Sequence, residues 1–194
     1  MNNKWWIIIA SGPSLSRADC DALRGVGTTI AVNRAVFFTP WSHFMYASDE
    51  AFWQVYGPKT EWFKGKRITY KDYMDARQFS GACRFRRHDG GNGGHQAWQY
   101  AAWKGAKKIA LIGFDHQHTD GRKHCHEDYP RQVKVGSEVV NFGNAECTDF
   151  WVKVMNSSAQ DAAAMGIEIV NLSRETALEC FPRMTVEEFT ERYI

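Results

Sequence analysis

Four of the seven histidines lie within eleven residues of one polar stretch, as His116, His118, His124 and His126, directly after Asp115. Imidazole titrates near neutral pH, so a histidine in such a stretch can serve as a general base or as a metal ligand. The spacing His-x-His occurs twice, but it matches no established class of metal site. We therefore predict catalytic or substrate-binding roles for His118, His124 and His126 and assign no metal ligand. A metal site and a plain polar loop are the alternatives.

A second group of candidate residues forms a turn after the first apolar run, Ser11-Gly12-Pro13-Ser14. Gly12 lets the backbone approach a ligand, and Pro13 suits the first turn of a helix. Ser14 can cap that helix or offer its hydroxyl group. Free N–H groups at a helix start attract anions, above all phosphate. The turn is neither the dinucleotide glycine motif nor a P-loop, so it predicts either a phosphate site or a simple capped turn.

A glycine-rich stretch, Asp89 to Gly94, leads into a second predicted helix. Backbone N–H groups at Gly93 and Gly94 are placed to contact another part of a ligand, with Asn92 and Gln96 offering amides. A flexible connection without a ligand is the alternative.

Strands and helices alternate around these residues. Apolar runs predict strands at residues 5–10, 28–32, 44–47, 107–115 and 167–170, with weaker candidates at 67–70 and 83–86. Helical periodicity predicts helices at residues 15–23, 50–56, 95–104 and 146–165. This alternation predicts an α/β fold, a mostly parallel Rossmann-like sheet flanked by helices, in one domain over residues 1–194.

The five clearest predicted strands end at polar residues. Asn33, Ser48-Asp49, Asp115 and Asn171 follow four strands, as the Ser11 turn follows the first. In an open parallel sheet, ligands bind beyond the carboxyl ends of the strands. We therefore expect Asn33, Asp49 and Asp115 to share one site with the turn.

Residues 116–145 are polar and show no periodicity, so we predict a long histidine-rich loop that acts as a lid. Loops of that length inside a compact domain are usually functional or mobile.

Composition excludes few partners. There are 24 basic and 22 acidic residues, which gives a net charge of +2. Proteins that bind nucleic acid through its phosphates usually have a larger basic excess, but this charge does not exclude nucleic acid as a partner. Arg84 to His88 is a short basic run, predicted to be a solvated edge or an anion contact. Five scattered cysteines without a CxxC pair favour a reducing compartment, and no apolar run is long enough to span a membrane. A cytoplasmic protein is expected, with its oligomeric state left open.

Several of these segments together resemble the bacterial sialyltransferases with a single Rossmann-like domain, and the archaeal 6-hydroxymethylpterin pyrophosphokinase-like family with its related flagellin glycosyltransferases. The shared segments run in order along most of the chain: Ser11 to Leu15, Asn33, Gly93-Gly94, Gly105 to Ile109, Gly113-Phe114-Asp115, Gly166 to Glu168, Asn171 and Phe181-Pro182-Arg183. Small phage and prophage proteins look closer still, because His118 to Gly121 and His124-Cys125-His126 match their loop after the same strand.

The resemblance implies a transferase that uses a nucleotide-activated donor, most simply a metal-independent glycosyltransferase in the cytoplasm of a bacterial host. It implies that Gly12, Pro13, Ser14 and Asn33 bind the nucleotide, and that a histidine in the lid acts as the base. The acceptor is not identified by any motif.

Two other functions stay open. A pterin-type diphosphotransferase would use ATP with Mg²⁺ held by Asp49 and Asp115, because hard cations prefer carboxylate oxygens. A non-enzymatic phage accessory protein would bind a nucleotide or a host factor without turnover.

Overall fold

The computed structural model describes residues 4–69, 92–142 and 148–193, in which strands and helices alternate as the sequence predicts. The strands are β1 Trp6–Ile9, β2 Thr28–Val32, β3 Phe44–Ala47, β4 Lys66–Thr69, β5 Lys108–Ile112, β6 Gln132–Val135, β7 Glu138–Asn141 and β8 Glu168–Asn171. The α-helices are α1 Arg17–Ala22, α2 Glu50–Tyr56, α3 Gly93–Trp103, α4 Thr148–Ala164 and α5 Val186–Tyr193, with short 3₁₀ helices at Asn33–Phe37 and Pro58–Thr60.

Six of these strands form one sheet in the order β4-β3-β2-β1-β5-β8, and every neighbouring pair is parallel. Ile8, in the middle of β1, pairs with Ile30 of β2 and Leu111 of β5. The chain adds β2, β3 and β4 on one side of β1 and then returns to place β5 on the other. This reversal is a topological switch point, and the prediction of a Rossmann-like α/β fold is confirmed.

Both faces of the sheet are buried, which is why its strands are apolar at successive positions. Ile8 faces a core completed by Trp98 of α3 and Met155 of α4. Ile9 faces the opposite core, to which α1, α2 and α5 contribute Cys20, Phe52 and Phe189, among others. The sheet is therefore the middle of three layers, and all ligand access must come from its edges or ends.

Helix α3 begins where its sequence provides a cap. The side chain of Asn92 accepts hydrogen bonds from the N–H groups of Gly94 and His95. The longest helix of the described ranges, α4, has 17 residues. Within those ranges no helix combines the length and apolar character needed to cross a membrane.

Two differences between the structure and the predicted elements go beyond small shifts of their bounds or bear on the first turn. Helix α1 begins at Arg17 rather than at residue 15, because Ser16 is its cap and accepts a hydrogen bond from the N–H of Asp19. The predicted loop over 116–145 contains an antiparallel hairpin, β6 and β7, so the expectation of an unstructured loop is wrong for that part. The predicted strand at 83–86 and the basic run Arg84 to His88 lie outside the described residues.

The central strand should be the most sensitive to truncation. Ile8 is fully buried between neighbours on both sides, so Ile8→Ala should lower the free energy of unfolding by about 2–5 kcal/mol. Val139→Ala is the control, because Val139 is 57% exposed and should change stability by less than about 0.5 kcal/mol. Urea unfolding measures both, and equal losses would contradict this account of the core.

Candidate functional site

A cavity of about 800 Å³ opens at the carboxyl ends of β1 and β5, at the switch point of the sheet. This is the place where open α/β sheets bind ligands. It brings together ten of the predicted residues: Ser11, Gly12, Pro13, Asn33, Asp49, Gly93, Gly94, Asp115, His118 and His124. Ser14 and His126 are not among its lining residues.

The carboxylate of Asp115 is bound inside the turn that follows β1. Its Oδ2 accepts a hydrogen bond of 2.7 Å from the backbone N–H of Ser14. Asp115 is only 1% exposed, and its Oδ1 has no hydrogen-bond partner. Burial is the main reason that its pKa rises to about 6, although the Ser14 N–H opposes the shift.

Two glycines leave room for this carboxylate. A Cβ on Gly12 would collide with Asp115 Oδ1 and would lie 2.6 Å from the carbonyl oxygen of Gly113. Gly113 has a φ of +71°, and a Cβ there would lie 2.7 Å from the carbonyl oxygen of Ala10. The N–H of Gly12 also bonds to the Gly113 carbonyl at 2.8 Å, which extends the pairing of β1 with β5. Gly12 therefore makes room for Asp115, where the sequence suggested room for a ligand.

The first turn does not offer the free N–H groups that the sequence analysis expected. The N–H of Ser14 is taken by Asp115, and that of Leu15 bonds to the carbonyl of Gly12 at 3.1 Å. The Ser14 hydroxyl accepts a hydrogen bond from the N–H of Glu175. An internal carboxylate thus occupies the position at which a phosphate was expected.

The start of α3 forms another wall of the cavity. Gly94 packs so closely on the ring of Phe114 that a Cβ would lie 2.9 Å from it. A Cβ on Gly93 would lie 3.2 Å from Val32 and 3.7 Å from the Asn33 amide nitrogen. These glycines allow the helix start to approach the strand ends, while Asn92 already satisfies the N–H groups of Gly94 and His95.

Asn33 follows β2 in a backbone conformation that few side chains tolerate. Its φ is +52°, a region in which asparagine is among the most common residues after glycine. Its Oδ1 is buried without a hydrogen-bond partner, and the residue lines the cavity. An unpaired buried acceptor is costly, so the Asn33 amide is placed for a ligand or for water.

The histidine segment, residues 116–142, begins with a tight turn. Asp120 and Gly121 both have positive φ, at +53° and +73°, and Thr119 and Arg122 exchange backbone hydrogen bonds around them. Asp-Gly is the preferred pair at the centre of such a turn. The N–H of Cys125 then bonds to the carbonyl of Ser11 at 3.1 Å, so the segment is joined to the first turn of the sheet.

His124 and His126 stack on each other, with ring centroids 5.0 Å apart. The ring of Tyr129 lies edge-on to both, at 5.5 and 5.3 Å. Burial lowers the pKa of His124 below its ordinary value and that of His126 to about 4, so both rings are neutral at pH 7. His124 lines the cavity, His126 is half-buried and is not among the lining residues, and His118 is an exposed lining residue.

Several residues of the cavity were missed by the sequence analysis. His116 has a φ of +50°, and burial lowers its pKa to about 4. Its ring lies 6.3 Å from that of Trp151 on α4. Aromatic and basic side chains complete the wall: Tyr129, Phe142, Lys123 and Arg131. Except for Trp151, these residues belong to the histidine-rich stretch, but the stretch has no periodicity that shows which of its side chains face the cavity.

The other strand-end residues have different roles. Asp49 lines the cavity as an exposed residue preceding α2. Asn171 is fully buried, and its Oδ1 accepts a hydrogen bond from the N–H of Ser173. The Ser173 hydroxyl in turn accepts from the N–H of Phe114 at 2.8 Å. Asn171 therefore supports the end of β5 rather than the cavity surface.

Comparisons with protein-family models, with curated proteins and with solved structures give no match to this chain. Among the described residues, no three side chains of histidine, cysteine, aspartate or glutamate form a group that could hold a metal ion. The chemistry of the site must therefore be argued from its own geometry.

The packing of Asp115 against Gly12 predicts a strong coupling between the two positions. Gly12→Ala should lower the free energy of unfolding by about 2–3 kcal/mol, because the new methyl group displaces the carboxylate. The same substitution should cost clearly less in the Asp115→Ala background. Urea unfolding of the four proteins gives the coupling, and strictly additive losses would contradict this packing.

The raised pKa of Asp115 predicts a pH dependence of stability. The folded-state pKa of about 6 lies above the unfolded value of about 3.9, so the folded state favours the protonated acid. Below about pH 4 Asp115 is protonated in both the folded and the unfolded state and costs no stability. Between about pH 4 and 6 it ionises more readily in the unfolded state, so the free energy of unfolding falls, and above this range the loss is constant. Relative to Asp115→Asn, the wild-type protein should lose roughly 2–3 kcal/mol across this range. If the free energies of unfolding of the two proteins changed with pH in the same way, the raised pKa of Asp115 would be contradicted.

Proposed function

We propose that this protein is a transferase that uses a nucleotide-activated donor, most simply a metal-independent glycosyltransferase, with the cavity as its donor site. One observation supports this most: Asn33 and Asp115, which line the cavity, each hold a buried hydrogen-bond acceptor without a partner, and the neutral His124 lines the same cavity. The cavity volume of about 800 Å³ lies within the range of roughly 300–1,000 Å³ that small-molecule sites occupy.

The acceptors favour a ligand rich in hydrogen-bond donors. Asn33 Oδ1 and Asp115 Oδ1 are buried acceptors without partners, and they follow β2 and β5, the two strands that flank β1. Ribose hydroxyls and the amino groups of a base are donors that would satisfy them. Asn33, Asp115 and the carboxylate of Asp49 orient the nucleoside.

The phosphate is assigned to the other side of the cavity. The first turn is bonded internally, so it is not the proposed phosphate site. The basic side chains of Lys123 and Arg131 line the cavity from the histidine segment, and both interact favourably with phosphate oxygens. The start of the 11-residue helix α3, at Gly93, adds the positive end of a helix dipole.

Aromatic faces complete the proposed donor site. Phe142 and Trp151 line the cavity, and Phe142 stacks on Tyr129 with ring centroids 5.4 Å apart. Flat aromatic surfaces bind bases by stacking whatever the base, at about 1–3 kcal/mol each. The walls therefore suit a nucleotide without selecting which one.

His124 is the proposed general base, and the histidine segment is the proposed lid. His124 is neutral at pH 7 and lines the cavity, so it can accept the proton of an acceptor hydroxyl. The acceptor oxygen then bonds to the anomeric carbon while the bond from that carbon to the phosphate oxygen breaks. Lys123 and Arg131 would stabilise the negative charge of the leaving nucleoside phosphate.

We place the protein in the cytoplasm of a bacterial host, as a phage-encoded or prophage-encoded enzyme. Cys20, Cys125 and Cys180 are free thiols, in keeping with a reducing compartment. Its proposed partners are a nucleotide-sugar donor and an acceptor whose identity is open.

Ligand screening tests the proposal directly. Calorimetric titration with CMP, CDP, UDP, GDP, ADP, ATP and CMP-sialic acid, with and without Mg²⁺, should show at least one nucleoside phosphate binding without metal. Binding of ATP only with Mg²⁺ would favour the diphosphotransferase with Asp49 and Asp115 as metal ligands. Absence of binding throughout would overturn the proposal and favour an accessory protein.

Two pairs of variants assign the roles once a ligand is found. Asn33→Gly keeps the positive φ but removes the amide, so it should weaken binding about tenfold with little loss of stability. Asn33→Ala should also lower stability, because alanine is strained there. His124→Gln should lower donor turnover by about 10²–10⁴-fold while leaving donor binding intact, whereas His118→Gln should have a smaller effect. Full turnover in His124→Gln would remove His124 as the base.

A further inference from the structure

Arg34 and His126 share one backbone carbonyl. The Arg34 Nη1 donates a hydrogen bond of 2.9 Å to the carbonyl oxygen of Glu127. The His126 Nδ1 lies 2.7 Å from the same oxygen. A carbonyl oxygen has two lone pairs and only accepts, so the His126 Nδ1 must be the nitrogen that carries hydrogen.

The other nitrogen of His126 is then the basic one. Burial and the nearby Arg34 charge lower the pKa of His126 to about 4, so the ring is neutral at pH 7 and its Nε2 holds a lone pair. That Nε2 is buried and has no hydrogen-bond partner. The ring stacks on His124, which lines the cavity, so its orientation also determines where the His124 ring can lie.

Arg34 is itself held in place by two aromatic rings. It follows Asn33 in the 3₁₀ helix after β2, and its guanidinium lies 5.3 Å from the ring centre of Tyr56 and 5.7 Å from that of Tyr129. Tyr129 is edge-on to both histidines. The guanidinium therefore links a strand end to the histidine segment, 93 residues further along the chain.

We propose that Arg34 is a positioning residue that, through the Glu127 carbonyl, holds His126 as the Nδ1–H tautomer and so orients the His126–His124 pair beside the cavity. The titratable and charged groups that face His126 are Arg34 from the 3₁₀ helix, and His124, Asp128 and Tyr129 from its own segment. Only the consequence for proton transfer rests on the function proposed above; the tautomer and the ring orientation do not.

Histidine nitrogen NMR tests this without a substrate. Long-range ¹H–¹⁵N spectra of the full chain, assigned with His126→Gln, distinguish the two tautomers and follow their titration. In the wild-type protein His126 should be Nδ1–H and should not titrate near its ordinary value. In Arg34→Ala the tautomers should mix, because the Glu127 carbonyl is no longer held, and the pKa of His126 should rise, because the Arg34 charge is lost, although burial still keeps it below its ordinary value.

Arg122→Ala is the matched control, since Arg122 is an exposed arginine of the same segment that makes no contact with His126 among the described hydrogen bonds. It should leave the His126 signals unchanged. Unchanged signals in folded Arg34→Ala would overturn the proposal. If Arg34→Ala does not fold, the wild-type spectrum decides: an Nε2–H tautomer, or a ring that titrates near 6.5, overturns it.

A catalytic readout separates this proposal from the proposed function. If donor turnover is established, Arg34→Ala should lower kcat by about 10–100-fold with the donor KM little changed, as is usual for residues that orient a reacting imidazole. An unchanged kcat would overturn the consequence for proton transfer. If no nucleotide binds, the proposed function is overturned, but the NMR test of the His126 tautomer is unaffected.

Discussion

The hydrogen bond from the Ser14 N–H to the carboxylate of Asp115 is the interaction on which this end of the molecule depends. It joins the loop after β1 to the loop after β5 at the switch point of the sheet. Gly12 and Gly113 are required for it, since a Cβ on either would collide with neighbouring atoms. The bond fills the place where nucleotide-binding folds commonly accept a phosphate, and it leaves one carboxylate oxygen unpaired. The fold has a Rossmann-like topology, but the N–H groups of Ser14 and Leu15 in its first turn already bond to other groups of the protein.

Unpaired acceptors and positive charges lie on different sides of the cavity. Acceptors without partners, at Asn33 and Asp115, lie on the side of the strand ends. The cations that line the cavity, Lys123 and Arg131, come from the histidine segment. A ligand with hydroxyl or amino groups at one end and a negative charge at the other fits this distribution, and a nucleotide is such a ligand. Arg34 connects the two sides, because it follows Asn33 in sequence and bonds to Glu127 in the histidine segment.

Local sequence predicted the sheet well, because its strands are short apolar runs that end at polar residues or glycine. The bounds predicted for β2, β3 and α2 agree with the structure. The same reasoning placed most of the candidate residues in one cavity, since parallel strands bring their carboxyl ends to one edge. It failed where a distant side chain bonds to the backbone. Nothing near Ser14 in sequence shows that its N–H donates to Asp115, which lies 101 residues away. It also failed for the hairpin of β6 and β7, because each strand has only four residues and is mostly exposed, so the alternation in β6 is too short to stand out in a polar stretch.

The central claim is that the cavity binds the nucleoside end of its ligand through Asn33 and Asp115, while the turn after β1 keeps its internal carboxylate. A crystal structure of the protein with a bound nucleoside phosphate tests this most directly. The account predicts hydrogen bonds from the ligand to Asn33 Oδ1 and Asp115 Oδ1, with the phosphate beside Lys123 and Arg131 and the Ser14–Asp115 bond intact. A phosphate bound to the Ser14 N–H with Asp115 displaced, or a nucleotide bound outside the cavity, would contradict it.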